Sequence, residues 1–352
     1  MSSVPFFTSE LTKEMEDAAI NALRNEKFVM GESVFKFEEE FARYTGTKFA
    51  ISVNSGNAAL QLSLISLGIK QNSKVITTTN SFIASANCIK MVGADPILCD
   101  IHSNDGNMDI KTTDKKPDAI IPVHIYGNPC DFNAIKGVSE ENDVPIIEDA
   151  CQAHGAIFEE KKVGTLGDVG CFSFYPTKNM TVGGDGGMAT TDNEELKNKI
   201  ESLRDNGRKT RTEHDKLGFT MRLNTISAAI GRIQLRLLDE YNRRRREIAE
   251  LYQKELGKNY FLTENPNGKS VYHQIIFKHQ KRDEIISHLT KNNIGVGMHY
   301  PVPIHKQPLY ENLGYKLPVS EKFSNEVFSL PSFPQLKDDA VKIVCETIKQ
   351  VL

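Results

Sequence analysis

The sequence predicts a three-layer α/β/α protein with a mainly parallel sheet, followed by a small α+β C-terminal domain. Short apolar runs alternate with helical stretches from about residue 48 to 190, as in parallel sheets covered on both faces. After residue 270, a strand pattern, a helical stretch and a further strand pattern indicate a smaller mixed unit. A chain of 352 residues has room for about two domains, which we place at 1–240 and 241–352.

The predicted elements follow in chain order. After a polar N-terminal helix, the apolar runs place strands at 49–53, 74–78, 96–99, 119–123, 145–148, 169–174 and 187–191. A long helix begins near Asn224 and runs into Leu251, linking the two domains. The four arginines at 243–246 are interpreted as a solvated face of this helix, with a contact to an anion or to another subunit as the alternative. In the small domain we predict a strand at 270–277 and a helix from Lys281 to Asn292.

Composition excludes several classes of function. Hydrophobic residues make up 39% and charged residues 25% of the chain, and the net charge is -3, so the broad basic field of a nucleic-acid binder is missing. No apolar run approaches the length of about 20 residues that crosses a membrane, and the N-terminus lacks a signal core. The six cysteines are too scattered for a metal site and suggest reduced thiols, so we expect a cytoplasmic protein without a metal.

One lysine is placed to react with a substrate. Lys178 follows the apolar run 172–175 and lies between Pro176 and the glycine-rich segment 183–187. A lysine that forms a Schiff base needs a rigid stem and a lowered pKa, which burial supplies. Taken alone, a lysine after Pro-Thr is an ordinary surface residue.

A carboxylate is expected beside this lysine. The apolar run 144–147 ends in Glu148 and Asp149, at the end of a predicted strand where sites of α/β proteins form. A lysine for the aldehyde and an acid for the ring nitrogen are the two groups that pyridoxal 5'-phosphate chemistry requires most directly. The alternative for Asp149 alone is a cap or turn residue.

A phosphate site completes the pattern. Asn54, Ser55, Gly56 and Asn57 join a predicted strand to a leucine-rich helix. Small residues at a helix start let an anion approach the backbone N–H groups and the positive end of the helix dipole. The same residues also form an ordinary N-cap, so the prediction of a phosphate site depends on the presence of Asp149 and Lys178.

These motifs, in this order, resemble the DegT/DnrJ/EryC1/StrS family of sugar aminotransferases, which have the fold type I of pyridoxal-phosphate-dependent transferases. The resemblance covers nearly the whole chain. It rests on the segments at 27–31, 37–42, 54–60, 80–84, 148–155, 172–187, 218–223 and 299–308.

The resemblance implies roles around the cofactor. Lys178 would form the Schiff base and then move the proton, and Asp149 would pair with the ring nitrogen. Gln152 would bond the ring hydroxyl and Phe82 would stack on the ring. His154 would support Asp149 from behind.

The resemblance also assigns the phosphate to Gly56, Asn57 and Ser173. Two departures stand out. The family usually has Ser-Gly-Thr where this chain has Asn57, and it often has an asparagine where this chain has Thr220. That asparagine reaches the phosphate of the neighbouring subunit, so the contact made by the shorter Thr220 is open.

For the reaction, the resemblance implies transfer of an amino group from glutamate to a nucleotide-linked keto-deoxyhexose. Relatives that dehydrate such sugars carry histidine in place of the lysine, so Lys178 favours transamination. The stretch at 299–308 is more similar to enzymes that aminate carbon 3 than to those that aminate carbon 4. Candidate partners of the substrate are Arg208, Lys209, Arg211 and Arg222 for the diphosphate and His305 for the sugar.

The family pairs its subunits as homodimers with shared sites, which implies that the 218–222 loop lies near Lys178 of the other subunit. Two alternatives stay open at this point. One is an aminotransferase for an aminocyclitol or another ketone without a nucleotide. The other is a regulatory protein that binds the cofactor without turnover.

Overall fold

The computed structural model describes residues 3–9 and 11–352. Its strands are β1 (Phe49–Val53), β2 (Lys74–Thr78), β3 (Asp95–Cys99), β4 (Ala119–Ile121), β5 (Ile147–Asp149), β6 (Ile157–Phe158), β7 (Lys161–Lys162), β8 (Val169–Ser173), β9 (Gly187–Thr191), β10 (Gly268–Lys269), β11 (Ile275–Lys278) and β12 (Val327–Leu330). Its α-helices are α1 (Lys13–Asn25), α2 (Glu32–Thr45), α3 (Gly56–Ser66), α4 (Ala84–Met91), α5 (Phe132–Asn142), α6 (Glu194–Arg204), α7 (Thr225–Leu256), α8 (Arg282–Lys291), α9 (Pro318–Ser324) and α10 (Asp338–Lys349).

Seven strands form the central sheet in the order β3-β2-β4-β5-β8-β9-β1. Parallel bridges from Ile120 to Ile146 and from Val123 to Asp149 join its two hydrogen-bonded halves. Within this sheet β9 runs antiparallel to both neighbours, whereas the other adjacent pairs are parallel. The predicted mainly parallel sheet is confirmed.

Helices cover both faces of this sheet because its strands are apolar on both sides. Ile51 and Cys171 pack with α3, α4 and α6 on one face. Their neighbours Ala50 and Phe172 pack with α2 and α7 on the other face, and α5 covers β4 there. The chain therefore has the predicted three layers.

The long helix α7 carries the chain into the small C-terminal unit. Asn224 caps its N-terminus by accepting a hydrogen bond from the Ser227 N–H group. Its last turns pack with β11, β12, α8 and α10. The predicted solvated arginine face is wrong for Arg245, which is buried and donates to the carbonyl of Ser332, because this side of the helix faces the small unit.

The predicted strand at 270–277 begins later than expected. Val271 and Gln274 donate backbone hydrogen bonds to Gly127 and Tyr126, which lie in the loop between β4 and α5 of the large domain. The strand β11 therefore starts only at Ile275. The predicted domain boundary after residue 240 falls inside α7 and stays a prediction. Among the described residues, every helix is too short or too polar to cross a bilayer.

Candidate active site

A cavity of about 450 Å³ lies at the carboxyl ends of β1, β2, β5 and β8. These four strands run in the same direction, so the residues that follow them meet at one edge of the sheet. Seven of the predicted site residues line the cavity: Gly56, Asn57, Phe82, Asp149, Gln152, Ser173 and Lys178.

Lys178 reaches the cavity from a tight turn after β8. Its N–H group donates to the carbonyl of Tyr175 at 2.8 Å, and Pro176 sets the backbone angle at the second position of the turn. The side chain makes no salt bridge or hydrogen bond to any described residue. Burial lowers the pKa of Lys178, although Cys151 and Asp149 oppose this shift. The backbone of Lys178 is therefore held rigidly, whereas its amino group is available to a ligand in the cavity.

Asp149 ends β5 and is buried at 4% exposure. The Ser85 hydroxyl donates to its Oδ2 at 2.7 Å. The N–H group of Cys151 donates to its Oδ1 at 3.2 Å. With one hydrogen bond to each oxygen, the carboxylate is fixed in orientation and faces the cavity that Lys178 also lines.

The start of α3 forms the third part of the site. Ser55 caps the helix by accepting a hydrogen bond from the Ala58 N–H group at 3.1 Å. A Cβ atom on Gly56 would lie only 2.7 Å from both the Cys151 Sγ and the Ser173 Cβ, so only glycine lets the start of α3 pack this closely against the ends of the neighbouring strands. The Oδ1 of Asn57 is buried without a hydrogen-bond partner among the described residues. The first N–H groups of a helix also lack partners within it, so this end suits an anion.

Aromatic and amide groups form another wall. The ring of Phe82 is 57% exposed and lies 6.4 Å from that of Tyr300. Gln152 accepts a hydrogen bond from the Tyr126 N–H group at 3.0 Å and donates to the Tyr300 hydroxyl at 3.2 Å. These contacts hold Gln152 in place; its predicted bond to a ring hydroxyl stays a prediction.

His154 lies behind the cavity rather than in its lining. Its ring packs against Phe172 and Phe174, at 5.4 and 5.8 Å between ring centroids. Burial and the charge of Lys178 lower the pKa of His154 to about 3, so the ring is neutral. Neither ring nitrogen makes a hydrogen bond within the described part of the chain, and Ser85 occupies the supporting position at Asp149 instead.

The candidate partners of the diphosphate lie on the exposed segment between α6 and α7. Arg208 and Arg222 both pair with Asp205, at 2.9 and 2.7 Å. Thr220 donates to the Oδ1 of Asn206 at 3.0 Å. Lys209 and Arg211 are exposed. This segment is not part of the lining of the cavity in its own subunit.

His305 is also outside the cavity lining. It is buried, and its Nε2 lies 3.1 Å from a carboxylate oxygen of Glu321. Its Nδ1 lies 2.6 Å from the Thr79 hydroxyl. A carboxylate oxygen only accepts, so Nε2 carries the hydrogen and Nδ1 accepts from Thr79. His305 thus links Thr79, the residue after β2, to Glu321 of α9. Its predicted sugar contact has no support in a single subunit.

Sequence reasoning missed Ser85, His273 and Tyr300, which all line the cavity. Ser85 lies three residues beyond Phe82, on the first turn of α4. It directly follows the family-like segment at 80–84 and is therefore not included in it. Tyr300 lies in the 299–308 segment, whose sequence pattern does not distinguish it as a site residue. His273 gave no signal, because a histidine before an apolar strand is common in protein cores.

Comparisons with known proteins agree with this geometry. The profile of the DegT/DnrJ/EryC1/StrS aminotransferase family matches residues 9–349. The dTDP-3-amino-3,6-dideoxy-alpha-D-galactopyranose transaminase of Aneurinibacillus thermoaerophilus is 37% identical, over 96% of this chain and 95% of its own. A pleiotropic regulatory protein of Geobacillus stearothermophilus is 35% identical, over 97% of this chain and 95% of its own.

Solved structures agree as well. The crystal structure of DesV from S. venezuelae superposes with a TM-score of 0.96 at 34% identity, over 99% of this chain and 98% of its own. The match of family profile, relatives and fold along almost the entire chain leaves one assignment: the protein belongs to the DegT/DnrJ/EryC1/StrS aminotransferase family.

Proposed function

We propose that this protein moves an amino group from L-glutamate to a nucleotide-linked keto-deoxyhexose and aminates carbon 3. The observation that carries the proposal is the meeting of Lys178, Asp149 and the start of α3 around one cavity. The reaction gives 2-oxoglutarate and the amino sugar, so the amino group and the carbonyl oxygen exchange places between the two substrates.

The cofactor is pyridoxal 5'-phosphate, and the residues present fit it. A phosphate ester would fit at the start of α3, where Gly56 packs closely against Ser173 and the first N–H groups of the helix have no partner within it. Asp149 would hold the ring nitrogen, and Phe82 and Gln152 would hold the ring from the sides. When bound, the cofactor supplies an electron sink that lowers the barrier to removing a proton next to nitrogen.

The chain's own groups perform the remaining work. Lys178 would hold the cofactor through its amine, and the same amine would move the proton at the substrate carbon. Burial lowers the pKa of Lys178, which raises its fraction of neutral, nucleophilic amine at neutral pH. Ser85 keeps the carboxylate of Asp149 oriented, so that this carboxylate would face the ring nitrogen of the cofactor and favour its protonated form.

Carbon 3 and the nucleotide are supported by similarity. The relative from Aneurinibacillus thermoaerophilus carries a dTDP-linked 3-amino sugar in its name, and the stretch at 299–308 points the same way. We further propose a homodimer, in which the 218–222 loop of one subunit completes the cavity of the other. Support comes from Arg222, Arg208 and Thr220, which lie away from their own cavity on an exposed segment.

The test uses purified protein loaded with pyridoxal 5'-phosphate. A panel of nucleotide-linked 3-amino and 4-amino deoxyhexoses, with dTDP and UDP carriers, is offered with 2-oxoglutarate, and glutamate formation is measured. We expect turnover with 3-amino sugars and none with Lys178→Ala. Turnover with 4-amino sugars alone would reject carbon 3.

One relative favours a second candidate, since it is named a regulatory protein. This hypothesis predicts a cofactor absorbance band at about 410–430 nm that glutamate leaves unchanged. The aminotransferase reading predicts that glutamate removes this band in the wild type. Turnover with a cyclitol ketone but with no nucleotide sugar would instead favour an aminotransferase that acts on a ketone without a nucleotide.

A further inference from the structure

His273 lies in the cavity wall, beside the turn that carries Lys178. It is 5% exposed, and its Nδ1 lies 3.1 Å from the Oδ1 of Asn179. Asn179 directly follows Lys178 in the chain. The contact therefore joins the segment before β11 to the turn that carries the reactive lysine.

The orientation of the Asn179 side-chain amide is fixed by hydrogen-bond acceptors around its nitrogen. Its Nδ2 donates to the carbonyl of Val271 at 3.1 Å and to the Oδ1 of Asn242 at 2.8 Å. Asn242 is fixed in turn, because its Nδ2 donates to the carbonyl of His154 at 2.8 Å. Reversing either amide would bring two oxygens together in the interior. The Oδ1 of Asn179 is therefore the atom that faces His273.

This arrangement sets the tautomer of His273. The Oδ1 of Asn179 only accepts, so the hydrogen of the neutral ring is on Nδ1 and the lone pair is on Nε2. Burial and the charge of Lys178 hold the pKa of His273 well below its ordinary value, so the ring stays neutral. Nε2 makes no hydrogen bond to another described residue, and His273 is one of the residues that line the cavity.

We propose that His273 recognises the acceptor sugar, its Nε2 taking a hydrogen bond from a hydroxyl of the keto-sugar ring. This inference rests on the proposed function. A bare Nε2 repels carboxylate and phosphate oxygens, which carry no hydrogen, so this wall selects a group that donates a hydrogen bond. Anionic groups bind instead at the start of α3, where N–H groups point outward. A sugar hydroxyl can donate this hydrogen bond. The amino group of glutamate is the other substrate group that could donate it.

Two variants separate the two nitrogens of the ring. His273→Asn keeps an N–H group near the position of Nδ1 and its bond to Asn179, but removes the acceptor at Nε2. His273→Gln places an amide near Nε2 and gives up the bond to Asn179. With dTDP-3-amino-3,6-dideoxy-α-D-galactopyranose and with glutamate, each half-reaction of the holoenzyme is followed by absorbance.

We expect His273→Asn to raise KM for the sugar about tenfold, the size of one lost hydrogen bond, with kcat little changed. The glutamate half-reaction should stay within about twofold of wild type. His273→Gln should recover part of the sugar affinity. A larger loss in His273→Gln than in His273→Asn would show that the Asn179 contact matters instead. A slowed glutamate half-reaction would assign Nε2 to the amino donor. Either result overturns the proposal.

A second readout does not need turnover. In holoenzyme labelled with ¹⁵N in its histidine rings, we expect a protonated Nδ1 and a bare Nε2 for His273 at pH 7. The Nε2 signal should shift when the dTDP sugar is added. A protonated Nε2, or a signal that the sugar leaves in place, rejects the role of His273. A wild type that turns over no nucleotide sugar rejects the proposed function itself.

Discussion

At the scale of single residues, the site depends on how one carboxylate is held. Asp149 receives a hydroxyl hydrogen bond from Ser85 and a backbone one from Cys151. Hydrogen bonds to a charged group contribute about 1.5–3 kcal/mol. The hydroxyl of Ser85 is therefore the side chain through which the protein orients this acid.

We expect Ser85→Ala to lower kcat by about 10-fold or more, because the carboxylate loses one of its two fixed contacts. The matched control is Ser63→Ala, which removes an equally buried hydroxyl from α3 that donates to the carbonyl of Ala59. Steady-state rates and thermal unfolding of both variants are compared. Similar rates in the two variants would show that Ser85 does not act through Asp149.

The buried ring of His154 gives the folded protein a specific acid sensitivity. Its pKa in the folded state is about 3, against an ordinary value of 6.5. The unfolded chain therefore binds this proton first as the pH falls, so stability is complete above about pH 6.5 and declines toward pH 3.

We predict that His154→Leu loses less stability than the wild type between pH 7 and pH 4.5, by up to about 2.5 kcal/mol at about 1.4 kcal/mol per pH unit. Urea unfolding of the cofactor-free protein at the two pH values measures the difference. His214→Leu, which removes an exposed histidine, should keep the wild-type dependence. Equal pH dependence in wild type and His154→Leu would contradict the prediction.

At the scale of elements, the start of α3 joins sequence to function most directly. The strand β1, the cap Ser55 and the helix bring Gly56 against Cys151 and Ser173. A side chain at Gly56 would have to displace atoms from two other strand ends. The sequence indicated a helix start suited to an anion, but not the neighbours that make glycine necessary there.

Gly56→Ala should weaken cofactor binding by at least about tenfold, because its Cβ would lie 2.7 Å from its neighbours and push the loop ends apart. Gly137→Ala is the control, since this glycine of α5 has open space around it and should gain about 0.5–1 kcal/mol of stability. Absorbance titration with pyridoxal 5'-phosphate and thermal unfolding separate the two effects. Wild-type cofactor affinity in Gly56→Ala would refute the close fit.

Strands and helices of the large sheet were readable from the sequence, whereas contacts between distant elements were not. The predicted bounds of β1, β2 and β9 agree with the structure, because apolar runs between turns mark buried strands. The late start of β11 depends on bonds from Val271 and Gln274 to a loop more than 140 residues away. The tautomer of His273 depends similarly on Asn179 and Asn242, and no local pattern reveals it.

At the scale of the whole molecule, parallel strands collect the site at one edge, and this part followed from the sequence. Lys178, Asp149 and Gly56 meet because β8, β5 and β1 end together. Other predicted residues do not join them. Thr220, Arg208 and Arg222 lie on the exposed segment between α6 and α7, whose predicted partner is a second copy of the chain.

That partnership can be tested by combining two inactive proteins. We expect Lys178→Ala and the double variant Thr220→Ala/Arg222→Ala each to be impaired alone. If one site takes Lys178 from one subunit and the 218–222 loop from the other, random exchange makes half of the dimers mixed, and each mixed dimer holds one intact site. Activity should then rise to about a quarter of the wild-type value per subunit.

The outcome depends on exchange, which is checked by pairing subunits that carry different affinity tags. A mixture of Lys178→Ala with Asp149→Ala is the control, because both changes lie on the same side of the shared site in one subunit. Its mixed dimers keep no intact site and should stay inactive. No gain with the loop variant under proven exchange, or full activity of the loop variant alone, would place the whole site within one subunit and leave the 205–222 segment to another purpose.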